Sequence, residues 1–530
     1  MKNSLSKKAI DWPVLLISGG FLVLFVIGSL INSDFVSNLV DQSFNFSIEY
    51  FSSFYQFLVL AYFFVALFLG ISKYGKIRLG KREKPEMSTF RWIAIIMTTL
   101  MAGGGVFWAA AEPMFHFMET PPYFAEQGIK SLTEAAVVPA LSQSYLHWGF
   151  IAWAVNGTLG AIILMYAHYH RGAPLKPRTL LYPIFGDRLF RKNSVIGVLA
   201  DSVAMIAVAA GTIGPVGFLG LQAGFAFEEI FGIPNNFTLH TIIILGVVII
   251  AAISAATGVH KGIQFLSRLN VNLTIFLCVA ILFIGPGMFI IDKFFGAFGT
   301  YIQNYIGLGT YRGDPAWLGA WTVFFIAWFV GYAPMMSIFV ARISRGRSIR
   351  QIIMIIGVMA GIVMNFWFTI VGGSGIYYEL VNPGSISEVL SENGIPAAMI
   401  SITQQLPLGF LFSVLFLAVT IIFVLTTTDS ISYTMAITLT GDENPPRGLR
   451  IFWALIMGVI SVILVSFGEG TISSLQSFIV VTAIPVSILM LTNLWTAPKL
   501  CGQIAKEIGI TQSSEQKLNP TQKEALPSES

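Results

Sequence analysis

Gly103-Gly104-Gly105-Val106-Phe107-Trp108-Ala109-Ala110-Ala111-Glu112-Pro113 sets three glycines in a row and a proline inside an apolar segment. Further along the chain, Gly331-Tyr332-Ala333-Pro334 repeats the order of glycine then proline. Three consecutive glycines cost an ordinary helix about 1 kcal/mol each relative to alanine. The stretch therefore predicts either backbone that unwinds to meet a ligand or close packing of helices through small residues. An unwound turn exposes N–H groups that can meet a negatively charged oxygen. Counted outward, the two stretches fall in the third and eighth of twelve apolar runs. Helices interrupted at matching positions of two halves are a pattern of secondary transporters built from repeats, with the ligand near the bilayer midplane. Because the offset is five spans, an odd number, the two halves have opposite orientation. The expected fold class is an all-α integral membrane protein of twelve transmembrane helices, two N-terminal helices followed by a five-and-five inverted repeat.

Composition agrees with a membrane chain. Only 11% of the 530 residues are charged, 55% are apolar and the mean hydropathy is +0.75, whereas soluble domains carry about 25% charged residues. The apolar runs fall at roughly 12–32, 50–72, 90–111, 138–166, 195–227, 238–258, 269–290, 317–341, 351–373, 408–430, 451–467 and 473–497, each of them near the length that crosses a hydrocarbon core. With the N-terminus inside, all but three of the 31 lysines and arginines lie on the inward side, the exceptions being Lys130, Lys293 and Arg312. That asymmetry supports the span count and places both termini in the cytoplasm of a cell inner membrane. The first run follows Lys2, Lys7 and Lys8 but is too long for a signal peptide and lacks a small-residue cleavage site. Two cysteines, Cys278 and Cys501, make no disulfide framework or metal cluster, and nothing in the charge distribution suggests a nucleic-acid partner.

The chain divides into a cytoplasmic N-terminus (1–11), two additional helices (12–89), a first repeat (90–290), an amphipathic interfacial helix (291–308), a second repeat (317–497) and a disordered cytoplasmic tail (498–530). Ile291, Phe294, Phe295, Phe298, Tyr301, Ile302 and Tyr305 recur at helical spacing, which predicts a helix resting on the outer membrane surface or meeting another subunit. Residues 380–405 read as an outer loop with a partly buried helix. The polar tail lacks a dense basic cluster, so no strong anionic-lipid sensor is expected in it.

Phe325, Trp328 and Tyr332 share one face of the eighth span, and the fourth offers His147-Trp148 and Trp153. A trimethylated ammonium cannot donate a hydrogen bond, so proteins hold it between aromatic faces by cation–π attraction. Ala341-Arg342-Ile343-Ser344-Arg345-Gly346-Arg347-Ser348-Ile349-Arg350, Lys261-Gly262-Ile263-Gln264-Phe265-Leu266-Ser267, Thr426-Thr427-Thr428-Asp429-Ser430 and Glu112-Pro113 together resemble the betaine/carnitine/choline transporter family. The resemblance covers about residues 12–497. It implies a leucine-transporter-type fold, a homotrimer, and a midplane aromatic box for a small methylated-amine substrate. In that pattern the box falls on Trp148, Trp153 and Asn156 of the fourth span and on Trp328, Phe329 and Tyr332 of the eighth. Gly103, Gly104, Gly105, Trp108 and Glu112 would complete the substrate site from the third. Phe329, Tyr332 and Asn156 depart from the tryptophan and tyrosine more usual there, which makes the box smaller and one wall polar. Choline-type members tend to carry an acid in the glycine stretch. Its absence here favours a ligand with its own negative oxygen, glycine betaine or trimethylamine N-oxide; the reduced box and Asn156, a donor to an N-oxide oxygen, tilt the expectation towards the smaller N-oxide, with carnitine third.

The resemblance also implies sodium as the coupling ion. Thr426, Thr427 and the Phe423 carbonyl would meet Thr98 and Met101 of the third span. A second sodium site is half kept, with Thr212 present but Val208 and Met335 where a threonine and an aromatic residue are usual. A sodium-independent member of the family uses an arginine of the seventh span in place of the ion, and Arg268 lies near that position. The alternative is therefore an exchanger, against a plain reading of Arg268 as an inward charge anchor. Glu112 and Asp429 are ionisable groups within or beside spans, which marks them as functional candidates. His147 reads as packing in preference to proton relay, and His168 and His170, two apart, make a poor metal pair. Neither HExxH, a Gly-x-Ser-x-Gly elbow nor a Ser/His/Asp grouping is present, so an enzyme is not expected. No cofactor is expected beyond the ion.

Overall fold

The computed structural model describes residues 10–100, 104–191, 194–257, 260–441, 445–468 and 472–507. Apart from one isolated bridge between Arg78 and Ser348, its regular structure among these residues is helical. Eleven helices are long and apolar enough to cross a membrane. The third expected span is present as Thr89–Leu100 and Gly104–Met118, on either side of residues 101–103. Met101 and Gly103 thus lie outside the described residues, as do the side chain of Thr98 and the surroundings of Gly104. The chain is an all-α multi-pass membrane protein.

Several boundaries differ from those expected. The second span begins at Ser33, not near residue 50, and runs unbroken to Ile71. Asn32 starts it by accepting the Phe35 N–H at 3.0 Å, and Val36, Val40 and Ser47 bury one side of its first half. The polar residues Asn38, Asp41, Gln42 and Asn45 dilute the hydropathy there without breaking the helix. At the other end, residues expected in a disordered tail continue as helix Asn493–Glu507. Leu500, Cys501, Ile504 and Ala505 are buried and Glu507 meets Arg171 at 2.9 Å. The tail beyond, 508–530, lies outside the described residues. The interfacial helix is Gly287–Gln303, followed by Tyr305–Thr310. It buries Ile290, Ala297 and Tyr301 and leaves Ile291, Phe295 and Ile302 exposed, so the apolar residues occupy two faces.

The helix breaks are also placed differently. Gly331-Tyr332-Ala333-Pro334 is not an interruption: the eighth span is continuous from Phe324 to Ile343, with Pro334 inside it. A proline removes one backbone donor, and here the helix survives that loss. Its irregular turn is a π segment, Gly319–Val323, two turns earlier. The fourth span, by contrast, is broken among the described residues. It is divided into Glu134–Trp148, Phe150–Val155 and Leu159–Met165. Gly149 takes φ −90° and ψ −130°, and a Cβ there would clash with the Tyr145 carbonyl oxygen. Gly157 takes φ +126°, a backbone state open mainly to glycine.

The motif from Ala341 to Arg350 has a structural task. Gly346 N–H donates to Leu79 O at 2.8 Å, and Leu79 N–H returns to Arg347 O at 3.1 Å. The buried Arg347 guanidinium donates to Thr89 Oγ1 and Met87 O and lies 4.5 Å over the Trp92 ring. Trp92 Nε1 in turn donates to Ser344 Oγ at 3.0 Å. These bonds tie the start of the third span to the end of the eighth. Burial, and then the neighbouring Arg78, hold the Arg347 guanidinium below its ordinary pKa.

Candidate functional site

The break at Gly149 decides where Trp148 points. Phe150 N–H leaves the helical ladder and donates to the hydroxyl of Tyr301, 3.1 Å away on the interfacial helix. Trp148 then becomes the last residue of one helix, with its carbonyl free to accept the Trp153 indole N–H at 2.8 Å. The two tryptophans, five apart and on different faces of an ideal helix, are thereby linked through main chain. Asn156 ends the next short segment; it is buried and its Oδ1 has no hydrogen-bond partner among the described residues.

Around Trp148 the eighth span brings Phe325 at 5.4 Å, Trp328 at 6.1 Å and Phe329 at 5.2 Å between ring centroids. Trp328 and Phe329 stand at 82° and 89° to the Trp148 plane. The Trp328 indole is fixed from its other side, donating to Gly211 O at 3.1 Å. Gly211 leaves no room for a side chain, because a Cβ would lie 2.5 Å from Tyr332 Cε2 and 3.4 Å from Trp328 Cδ1. Tyr332 meets Thr212 hydroxyl to hydroxyl at 2.9 Å. A residue expected at the substrate and one expected at an ion are in direct contact. From the third span, Gly105 approaches the same rings: a Cβ would come within 4.0 Å of Trp148 Cζ3. Trp108 packs in a neighbouring aromatic nest with Phe218, Trp321 and Phe325, its Nε1 without a partner among the described residues.

Glu112 sits behind Trp148. Its Oε2 accepts the Trp148 indole N–H at 2.7 Å, and its Oε1 lies 2.5 Å from His147 Nδ1 and 3.3 Å from His116 Nε2. His147 Nε2 is met by Gln143 Nε2 at 3.0 Å and Thr322 Oγ1 at 2.9 Å. Glu112, His116 and His147 are all buried, and their ligand atoms lie within 4.8 Å of one another. The polar atoms of this group are bonded to one another, and the group joins the third, fourth and eighth spans.

Thr426 Oγ1 donates within its own helix, with Ile422 O at 2.8 Å and Phe423 O at 3.1 Å; Thr427 beside it is half-buried. The partner positions Thr98 and Met101 fall among those whose side chain or placement is not described. Thr212 also contacts Val208 O at 2.9 Å. Arg268 is exposed near the beginning of His260–Ile284. His168 and His170 have separate partners, Ala173 O and the Gly80 N–H.

Sequence reading did not connect Gly211, Phe368, His116 or Tyr301 with this site. Phe368 lies 5.0 Å from Trp148, and Trp367 donates to Gly105 O at 3.1 Å. His116 had a legible signal, since it follows Glu112 by one helical turn. For Tyr301 and Gly211 no local signal exists, because their partners are far away in sequence.

Among protein families, the one described as BCCT, betaine/carnitine/choline family transporter, matches residues 13–505. The chain is 48% identical to glycine betaine transporter 2 of Vibrio parahaemolyticus, over 94% of this chain and 91% of that protein. It is 31% identical to the ectoine/hydroxyectoine transporter of Virgibacillus pantothenticus, over 92% and 96%. A probable glycine betaine transporter of Desulfitobacterium hafniense is 30% identical over the same shares of the two chains. All three are named as transporters, not enzymes.

Proposed function

The chain belongs to the betaine/carnitine/choline transporter family, and from that premise we propose that it imports a compact trimethylated ammonium zwitterion by alternating access. Glycine betaine and trimethylamine N-oxide are the two substrates of the right class, and the name of the 48% identical relative favours glycine betaine. The observation that carries the reading is the convergence of Trp148, Trp328 and Phe329 beside the break at Gly149, where Trp153 is tied to the Trp148 carbonyl. Near-perpendicular rings suit a cation with no hydrogen to donate. Asn156, whose Oδ1 lacks a partner among the described residues, offers an adaptable amide to the polar end of the ligand.

Sodium is the coupling ion in this reading, held through the Thr426 and Thr427 hydroxyls and the Phe423 carbonyl. A hard cation takes oxygen ligands without needing a carboxylate. The exposed position of Arg268 fits an inward charge anchor better than a replacement for a buried ion. The protein works as a homotrimer in the plasma membrane with both termini inside, its spans arranged as two added helices and two inverted repeats of five. The deciding experiment is uptake of labelled glycine betaine and trimethylamine N-oxide into proteoliposomes, with and without an inward sodium gradient. Sodium-driven uptake of either supports the proposal. Uptake of neither overturns the substrate class, and equal uptake in potassium overturns the coupling.

A further inference from the structure

We propose that Tyr301, on the interfacial helix, is a positioning residue for the substrate: its hydroxyl draws the Phe150 N–H out of the helical ladder and so holds the break that sets Trp148 and Trp153 relative to each other in the box. The inference rests on the aromatic-box reading above and adds to it a residue that acts through the tryptophans without touching the ligand.

The Phe150 N–H has two ways to be satisfied. In an unbroken helix it would bond the Leu146 carbonyl, four residues back. Here it donates to the Tyr301 hydroxyl at 3.1 Å. Glycine at 149 permits this arrangement, with φ −90° and ψ −130°, but does not impose it, because glycine adopts helical angles as well. The acceptor decides between the two. A buried N–H left without a partner costs far more than one that exchanges a carbonyl for a hydroxyl. The break is therefore stable while the hydroxyl stands beside it, and the closed ladder is favoured once the hydroxyl is gone.

Three contacts fix the hydroxyl in place. Ser142 Oγ donates to Ala297 O at 3.0 Å, which ties the interfacial helix to the fourth span two turns before the break. The buried Tyr301 ring lies between Tyr145, 6.2 Å away and nearly perpendicular at 89°, and Phe150 at 5.5 Å. One of these rings precedes the break and the other follows it. The approach is close enough that a Cβ on Gly149 would come within 2.9 Å of the hydroxyl. The consequence reaches both tryptophans. Closing the ladder would give the Trp148 carbonyl the Ala152 N–H, four residues on, in place of the Trp153 indole that it now accepts at 2.8 Å. It would also change the angle between the segment that carries Trp148 and the one that carries Trp153.

The test measures glycine betaine binding to the full-length protein. Tyr301→Phe keeps the ring and removes one oxygen, and affinity is expected to fall roughly tenfold. Tyr305→Phe is the control, since the Tyr305 hydroxyl is buried without a partner among the described residues; its affinity should match the wild type. Trp148→Ala and the Tyr301→Phe/Trp148→Ala pair complete a double-mutant cycle. A hydroxyl that works through Trp148 makes the double variant lose less than the product of the two single losses, whereas one that only stabilises the fold does not. Gly149→Ala, whose Cβ cannot keep the broken conformation at 2.3 Å from Tyr145 O, drives the same closure and reports the same loss should Tyr301→Phe fail to fold. Wild-type affinity in folded Tyr301→Phe, or losses that simply multiply, overturns the positioning role. Wild-type affinity in folded Trp148→Ala overturns the aromatic-box reading itself, and the inference with it.

Discussion

Gly211→Ala adds a single methyl group at a point where two elements of the aromatic site meet the fifth span. In the middle of helix Val195–Phe231, alanine is favoured over glycine by about 1 kcal/mol of helix propensity. Against this, the new Cβ would lie 2.5 Å from Tyr332 Cε2 and 2.9 Å from Cδ2, ring atoms with no flexible end to swing aside. Overpacking of this kind costs about 1–3 kcal/mol. Displacing Tyr332 also strains its 2.9 Å bond to Thr212, about 1 kcal/mol more. Trp328 is bonded to the carbonyl of the substituted residue, so the shift reaches the box. The net expectation is destabilisation by about 2 kcal/mol and substrate affinity lowered roughly tenfold. Gly246→Ala is the internal control, because nothing lies within 4 Å of a Cβ there; it should be neutral or slightly stabilising. Thermal unfolding in detergent and binding of glycine betaine by calorimetry measure both quantities. If Gly211→Ala matched Gly246→Ala in stability and affinity, the close approach of Tyr332 and Trp328 to the fifth span would be refuted.

Trp148→Ala, Trp153→Ala and Trp328→Ala should each weaken binding, with roughly 0.5–2 kcal/mol of cation–π attraction lost per ring and phenylalanine restoring part of it; normal affinity in folded variants would remove the box. Thr426→Ala combined with Thr427→Ala should abolish sodium-dependent uptake while Arg268→Gln leaves it intact, and the converse result would make Arg268 the built-in cation. Arg347→Ala strips two hydrogen bonds and the stacked Trp92 from the tie between the third and eighth spans, so thermal stability should drop by about 2–4 kcal/mol, with Arg347→Lys recovering only part. Deleting residues 512–530 should leave initial uptake unchanged across external osmolality, and a steep osmotic rise that vanishes on deletion would make the tail a sensor.

The membrane-spanning character, the approximate span positions and the aromatic composition of the fourth and eighth spans were legible in the residues alone. Each span is decided by local quantities: apolar length, and backbone groups satisfied within the same helix. The same locality explains the misread edges, since Ser33 to Glu49 lacks a continuous apolar run and Asn493–Glu507 is held by contacts a hydropathy average ignores. Which span would break was not legible. Glycine with proline in the eighth span and Gly149 in the fourth are equally permissive on paper, yet only the fourth breaks. Its freed N–H at Phe150 finds the Tyr301 hydroxyl, 151 residues later in the chain, and a freed donor in an apolar interior is tolerated only where such a partner waits. Glu112 was visible as an ionisable residue within or beside a span, but its orientation towards Trp148 and His147 depended on another helix. Sequence names the groups able to bond; the packing of distant helices decides which of them meet, because a buried polar group must take whatever partner tertiary structure delivers to it.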